Sequence, residues 1–275
     1  MRPVDGAPGS YACAYDRSWA TAAGINGGIL MATLVRAIEL EVGADRPVRS
    51  LQVQFLRPPR FDEAQITVET IRAGARATNL RLRIDQGGKR MVEALATCFV
   101  PGLPELARWS PVAPPVEAPH ADDEEFLDPR MPPIVEHLSY RPRIGPPPFS
   151  GAPLGPGEPA RTGGWLELRD PHPIDPALLA FYVDAWWPAA LGPITTTSLN
   201  PTIDLALRFR TALPTGGLPP QPLLLESTTA TAQEGLVDEV ARVYTADGVL
   251  LAEATQLAIT LTPDERPVVT RRPDA

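Results

Sequence analysis

Lysine is all but missing from this chain. Lys89 stands alone among 25 basic residues, so the other 24 are arginine, which reflects genomic base composition more than a binding surface. The net charge is -8 and no basic stripe runs along the sequence. Both argue against nucleic acid as a partner. Cysteine is scarce too. Cys13 and Cys98 belong to no Cys-x-x-Cys pair and have no histidine cluster beside them. They read as small buried hydrophobes, and neither a disulfide framework nor a zinc site is expected. The three histidines, His120, His137 and His172, all lie in or beside proline-rich stretches, which argues against histidine-based catalysis. No apolar run approaches the roughly 20 residues a bilayer-spanning helix needs, so no membrane partner is expected. Met1 to Tyr15 lacks the basic start and apolar run of a signal peptide, and a cytoplasmic location is the default expectation. No metal and no cofactor are expected.

What the chain has in plenty is proline. Of 34 prolines, 16 fall between Pro101 and Pro159, a stretch that also carries the acidic run Asp122-Asp123-Glu124-Glu125. Proline fixes φ and removes a backbone donor, so this stretch reads as a long surface crossover between two folded halves. The expected division is a first half over 1–100, a crossover over 101–160, a second half over 161–263, and a fraying tail over 264–275.

Each half shows the same order of elements. The first opens with the alternating strand pattern of Tyr11–Tyr15, then Trp19 and Gly24-Ile-Asn-Gly-Gly28. A helix is predicted over Ile29–Val42, with Asn26 as its N-cap and Gly43 as its stop. Strands are predicted over 50–56, 64–73, 78–86 and 90–100. The second half opens with the strand Trp165–Arg169. A helix follows, begun by Asp175-Pro176 and ended or bent by Pro188. Strands are predicted over 202–209, 223–232, 236–245 and 249–261. Val53-Gln-Phe55 lies over Leu207-Arg-Phe209, 154 residues on, and Gly88, Glu93 and Ala94 lie over Gly248, Glu253 and Ala254, 160 residues on. The Pro/Gly-rich turn around 215–220 absorbs the difference. The order of elements repeats, which predicts an internal duplication of an α+β unit.

The run Trp19…Gly24-x-Asn-Gly-Gly28, the strand Ser50-Leu-Gln-Val-Gln-Phe-Leu-Arg-Pro58, the turn Arg72-Ala-Gly-Ala-Arg76 and the segment Asp247-Gly-Val-Leu-Leu-Ala-Glu-Ala-Thr-Gln256 resemble the acyl-CoA thioesterase II family. The resemblance covers nearly the whole chain outside the crossover and both ends. It implies a double hotdog fold: two tandem antiparallel sheets, each wrapped round a central helix. It also implies hydrolysis of an acyl-CoA or other acyl thioester, and a homo-oligomer. In that family an Asp in the second central helix, a Thr at the start of the next strand and a Gln on the last strand hold and polarise the attacking water. The matching positions here are Asp184 in Phe181-Tyr-Val-Asp-Ala-Trp-Trp187, Thr202 in Pro201-Thr-Ile-Asp204, and Gln256. The chain departs from the family in Trp186-Trp187-Pro188 and in its proline-rich crossover, both of which bear on the acyl pocket.

These residue types suit thioester hydrolysis. A thiolate leaves readily, so water activated by a carboxylate can replace a covalent nucleophile. Asp184 is the expected base, and Thr202 and Gln256 would hold the water. Backbone amides near a helix N-terminus would meet the oxyanion, with the Asn26-Gly27-Gly28 turn a candidate. Taken singly, each residue has a plainer role: Asp184 as a cap or arginine partner, Thr202 as a strand starter, Gln256 as an edge residue. A Gln among Ala252, Ala254 and Ala258 is nonetheless unusual, because its amide needs partners. Strand alternation puts Asp204 on the face of Thr202, as a second acid candidate. In the first half Val48 and Ala96 replace Thr202 and Gln256, which predicts one site per chain. Trp19, Trp186 and Trp187 read either as an acyl channel or as core aromatics, and Arg57, Arg60, Arg208 and Arg210 are candidates for CoA phosphates. Two other functions fit the fold: a non-catalytic acyl- or ligand-binding double hotdog, and a hydratase or dehydratase. The second needs a histidine that neither central helix supplies.

Overall fold

A computed structural model describes residues 1–120, 122–128 and 131–262. The tail expected to fray over 264–275 lies outside them. The first half gives strands β1 (Arg2–Pro3) and β2 (Ser10–Ala14), then the small hairpin β3 (Ala20–Thr21) and β4 (Gly24–Ile25). Helix α1 (Gly27–Val42) is followed by β5 (Val48–Phe55), β6 (Glu63–Ala73), β7 (Ala77–Gln86) and β8 (Lys89–Phe99). The second half gives β9 (Leu138–Ile144), β10 (Ala160–Leu168), helix α2 (Pro176–Tyr182), β11 (Thr202–Phe209), β12 (Leu223–Gln233), β13 (Leu236–Tyr244) and β14 (Leu250–Ile259). Among the described residues no helix is long and apolar enough to cross a membrane.

The helices start where the sequence places them. Asn26 Oδ1 accepts from Ile29 N at 3.1 Å, and Gly43 ends α1 at a φ of +84°, which only glycine adopts without strain. Leu30, Met31, Leu34, Val35, Ala37 and Ile38 recur at helical spacing and are buried. Asp175 Oδ1 caps α2 by accepting from Leu178 N at 2.9 Å, with Pro176 in the first turn. Every residue of α2 from Ala177 to Tyr182 is buried. The helix stops at Tyr182, well before Pro188. Asp184 N and Ala185 N then bond back to Phe181 O and Tyr182 O, each at 3.2 Å, in a tight three-residue turn. Asp184 therefore stands on a turn just past the helix, not within it as the sequence predicts.

Twelve strands form one antiparallel sheet in the order β1-β2-β6-β7-β8-β5-β11-β14-β13-β12-β10-β9. This replaces the two separate tandem sheets expected from the sequence. The halves meet edge to edge where β5 pairs with β11, Leu51 opposite Leu207 and Val53 opposite Leu205. Apolar side chains face each other across this seam and are buried, so pairing removes two strand edges and covers apolar surface together. The halves repeat in detail. A register shift between Val48 and Ser50 in the β5–β8 pair recurs between Thr202 and Asp204 in the β11–β14 pair.

The crossover also departs from expectation. Leu138–Ile144 within it is a strand, the outermost of the sheet, where Pro142 costs no ladder bond that a central strand would need. The acidic run is tied down: Asp123 pairs with Arg143, Glu125 pairs with Arg169, and Glu125 Oε1 also accepts from Ser139 Oγ at 2.8 Å.

The two helices pack antiparallel. At one end Gly28 of α1 meets the end of α2, where a Cβ on Gly28 would lie 2.5 Å from Phe181 O and 3.0 Å from Phe181 Cα. At the other end Arg36 pairs with Asp175 at 2.5 Å. The Phe181 atoms facing Gly28 are backbone and cannot swing aside, and Asn26 Oδ1 would lie 2.8 Å away as well. Gly28→Ala is therefore expected to lower stability by about 1–3 kcal/mol, read as a lower urea midpoint at an unchanged m-value. An unchanged midpoint would mean that the helices are not in contact here.

Candidate active site

The end of α2 packs against β14, and the first turn of α1 packs against that same end. Asp184 sits where they meet. Its Oδ2 accepts from Gly28 N at 2.9 Å and from Asn26 Nδ2 at 3.2 Å, and Asn26 Nδ2 also reaches Asp184 O at 2.8 Å. Asn26 thus serves two purposes: its oxygen caps α1 and its amide nitrogen holds the turn that carries Asp184. A Cβ on Gly27 would lie 2.9 Å from Asp184 Oδ2 and 3.1 Å from the Phe55 ring, so the carboxylate is pressed against backbone. Burial pushes the Asp184 carboxyl up from 3.8 to about 6, against the backbone N–H groups of Gly28 and Gly27 and the Asn26 amide, which pull it down. The residue lies deep among protein atoms yet is not sealed from solvent. A carboxylate so placed can reach a water molecule and is basic enough to take its proton near neutrality.

The Asn26-Gly27-Gly28 turn, read from the sequence as an oxyanion site, spends these amides on Asp184. The positive end of α1 stabilises the Asp184 carboxylate.

Thr202 and Gln256 come together. Thr202 Oγ1 donates to Gln256 Oε1 at 3.0 Å. The register shift in β11 makes this contact. Thr202 lies opposite Ala258 and Asp204 opposite Leu257, adjacent positions on β14, so one residue of β11 is extra. Thr202 therefore shares the inner face with Leu205 and Gln256, and Asp204 points to the other face. The expectation that strict alternation keeps Asp204 beside Thr202 fails for that reason, and Asp204 has no place in the acid–base set.

One residue was missed by the sequence reading. Glu239 of β13 lies directly opposite Gln256, and its Oε1 accepts from Gln256 Nε2 at 2.9 Å. Its Oε2 accepts from Ala189 N at 2.7 Å. It is 5% exposed. Burial raises its carboxyl to about 7, opposed by the Ala189 N–H and the Gln256 amide, while the charge of Asp184 adds to the rise.

The other candidates fall elsewhere. Trp186 is buried and donates from Nε1 to Thr162 Oγ1 at 3.0 Å, and Trp187 packs on Phe126 and Tyr140. Trp186 is a core aromatic, and Trp187 is half-buried against that core. Trp19 stacks on His137 with ring centroids 3.9 Å apart and lines a cleft of about 390 Å³ between α1 and α2. Arg208 alternates with the inward Leu207, which puts it on the outer face, and Arg210 pairs with Glu253 at 2.8 Å. Arg57 donates to Arg90 O at 2.9 Å, and Arg60 bonds through its backbone to Gln86. None of the four reaches Asp184 in a described contact.

The family model described as Acyl-CoA thioesterase N-terminal domain matches residues 15–99, and the one described as Acyl-CoA thioesterase C-terminal domain matches residues 111–260. The chain belongs to the acyl-CoA thioesterase family. No curated protein matches the sequence significantly. Among solved structures, a conserved protein of unknown function with a hot dog fold from Alicyclobacillus acidocaldarius superposes with a TM-score of 0.84 at 23% identity, covering 96% of both chains. A candidate thioesterase II from Thermobifida fusca gives 0.75 at 23% identity over 94% of both. The acyl-CoA thioesterase II TesB2 of Mycobacterium marinum gives 0.71 at 21% identity, covering 96% of this chain and 97% of that one. At these identities the likeness shows a shared hotdog fold. Within the family, the chain carries polar residues at Thr202 and Gln256 where its own first half has Val48 and Ala96.

The raised carboxyl of Asp184 has a consequence for stability. A folded-state value near 6 against 3.8 unfolded means that folding favours the neutral acid, so this contribution is complete below about pH 4 and lost as pH rises through 6. Asp184→Asn removes the titration. The stability of the variant relative to the parent is expected to rise by about 2 kcal/mol between pH 4 and pH 7, measured by urea unfolding across that range. A difference that stays flat with pH would mean that Asp184 is not desolvated.

Proposed function

We propose that this chain is an acyl thioester hydrolase with one site per chain, in which Asp184 is the general base and Thr202 and Gln256 hold the attacking water. The observation that carries this is the state of Asp184: a deep carboxylate, basic enough to accept a proton near neutrality and held by the amide end of the opposite half's helix. Asp184 takes a proton from water as the water oxygen bonds to the thioester carbon. The tetrahedral intermediate then expels the thiolate by breaking the C–S bond, and the proton returns to the sulfur. Thr202 and Gln256 supply an ordered hydroxyl–amide pair on the inner face of the sheet that can fix the water in line with the carbonyl.

The cleft between the helices suits the acyl group. It is lined by Trp19, Ile29, Ala32, Leu178 and Phe181, and Ile29 directly follows Gly28, which binds Asp184. An apolar wall beside a few polar groups is the ordinary form of a small-molecule site. The family supports an acyl-CoA as the substrate. We also propose that the folded halves divide about the proline-rich crossover, with the second half supplying the reacting side chains and the first half supplying the amides that hold the base.

The test is release of free CoA from a panel of acyl-CoAs, followed with a thiol reagent. The parent is expected to hydrolyse at least one, and Asp184→Asn to lose about a hundredfold or more in kcat. The kcat/KM profile is expected to fall below an apparent pKa near 6, because only the ionised carboxyl can act as base. Tight ligand binding without turnover at any chain length would replace this proposal with an acyl-binding protein. Water addition to an enoyl-CoA would replace it with a hydratase.

A further inference from the structure

Thr202 and Gln256 have partners beyond each other. Glu239 is fixed on both oxygens, by Gln256 Nε2 at 2.9 Å and by Ala189 N at 2.7 Å. An ionised carboxylate only accepts hydrogen bonds. The amide face turned toward Glu239 must then be the NH₂ of Gln256, which leaves Gln256 Oε1 for Thr202. Thr202 in turn must donate its one hydroxyl hydrogen to Gln256, as it does at 3.0 Å. The lone pairs of Thr202 Oγ1 are left to accept.

We infer that Glu239 is a positioning residue for thioester hydrolysis: through Gln256 it sets the direction of hydrogen bonding at Thr202, so that the attacking water donates to Thr202 and Asp184 and turns a lone pair toward the substrate carbon. This rests on the hydrolytic site proposed above. It adds a fourth side chain to that site, one that never touches the water.

The first half of the same chain is the control for a purely structural role. Opposite Ala96 the sheet register places Leu80 on one side and Leu51 on the other; in the second half Glu239 and Leu205 flank Gln256 in the same way. Leu80 and Leu51 are both 0% exposed and Ala96 is 3% exposed. The fold thus fills this row with apolar side chains where no chemistry is proposed. In the second half it buries a carboxylate, whose desolvation its partners must offset. An acceptor for the Ala189 N–H accounts for one oxygen of Glu239, and a directed chain of hydrogen bonds through Gln256 accounts for the other.

Protonation would undo the arrangement, since a protonated Oε1 would press the Gln256 amide to turn over. The groups that face Glu239 are Gln256 from β14, Ser227 from β12 and the Ala189 N–H from the turn after α2, and the charge that bears on it is that of Asp184. Because Asp184 and Glu239 are both buried acids and feel each other, any apparent values belong to the pair.

Glu239→Gln tests the inference because it keeps the shape and reverses the polarity. Ala189 N–H still needs an acceptor, so the new amide would turn its oxygen there and its NH₂ toward Gln256. Gln256 would then flip, and Thr202 would have to accept from Gln256 and donate outward. The variant is expected to lose about 10- to 100-fold in kcat with KM within about twofold, and its acid-side fall in rate, which in the parent belongs to the Asp184–Glu239 pair, is expected to become a single ionisation near 6. Parent-like kcat and an unchanged profile in Glu239→Gln, alongside an inactive Asp184→Asn, would overturn the inference and leave the hydrolase proposal standing. A second measurement needs no turnover. The Gln256 side-chain NH₂ resonances, assigned by their absence in Gln256→Ala, are expected to titrate near pH 7 in the parent and to be pH-independent in Glu239→Leu. Resonances that do not titrate in the parent would overturn the inference whether or not any acyl-CoA is cleaved.

Discussion

The Asp184 carboxylate takes its hydrogen bonds from the half of the chain to which it does not belong. Gly28 and Asn26 open the first half's helix, and Asp184 follows the second half's helix. Their meeting requires α1 and α2 to lie antiparallel and close, which the absence of a side chain on Gly28 permits. A carboxylate moved this far from water needs several donors to remain ionised. The amide end of α1 provides them from a fixed direction. Helix packing and the state of this carboxylate are therefore one constraint: loosen the crossing, and Asp184 loses its donors.

The sheet supplies the rest by register. An extra residue in β11 turns Thr202 inward beside Gln256, and cross-strand pairing sets Glu239 beside Gln256 from the other side. Three polar side chains from three strands are joined by two hydrogen bonds on the inner face. A half-satisfied network of this kind would be worse than an apolar core. Here the chain closes on the Ala189 backbone, only a few residues beyond Asp184, so the network and the segment that carries Asp184 are tied together.

Much of this was legible in the sequence, and what was not has physical reasons. Asn26, Gly43, Asp175 and Pro176 mark the helix ends because capping is local chemistry. Alternation and turn residues give the long strands. The single continuous sheet was not legible, because pairing between β5 and β11 depends on how the halves dock. The strand at 138–144 was hidden by Pro142, which only an edge position tolerates. Asp204 was misplaced because a bulge leaves no mark in a hydrophobic pattern. Glu239 was hidden for a related reason. The hairpin closing at the pair Tyr244–Leu250 holds one residue more than the one closing at Asp85–Arg90, so the spacing of 160 residues that matches the last strands sets Glu239 against Asn79. The sheet sets it against Leu80.

The seam between β5 and β11 has a consequence for how such a protein can vary. Two identical subunits meeting along that seam would carry every substitution twice, and a buried acid added to one would burden both. Covalent linkage of the halves lifts that symmetry. One half can then hold a row of desolvated polar groups where its twin, with Val48, Leu80 and Ala96 at the matching places, stays apolar. Substitutions at Leu80 and at Glu239 then act on different halves, a separation that a symmetric dimer of single units would not allow.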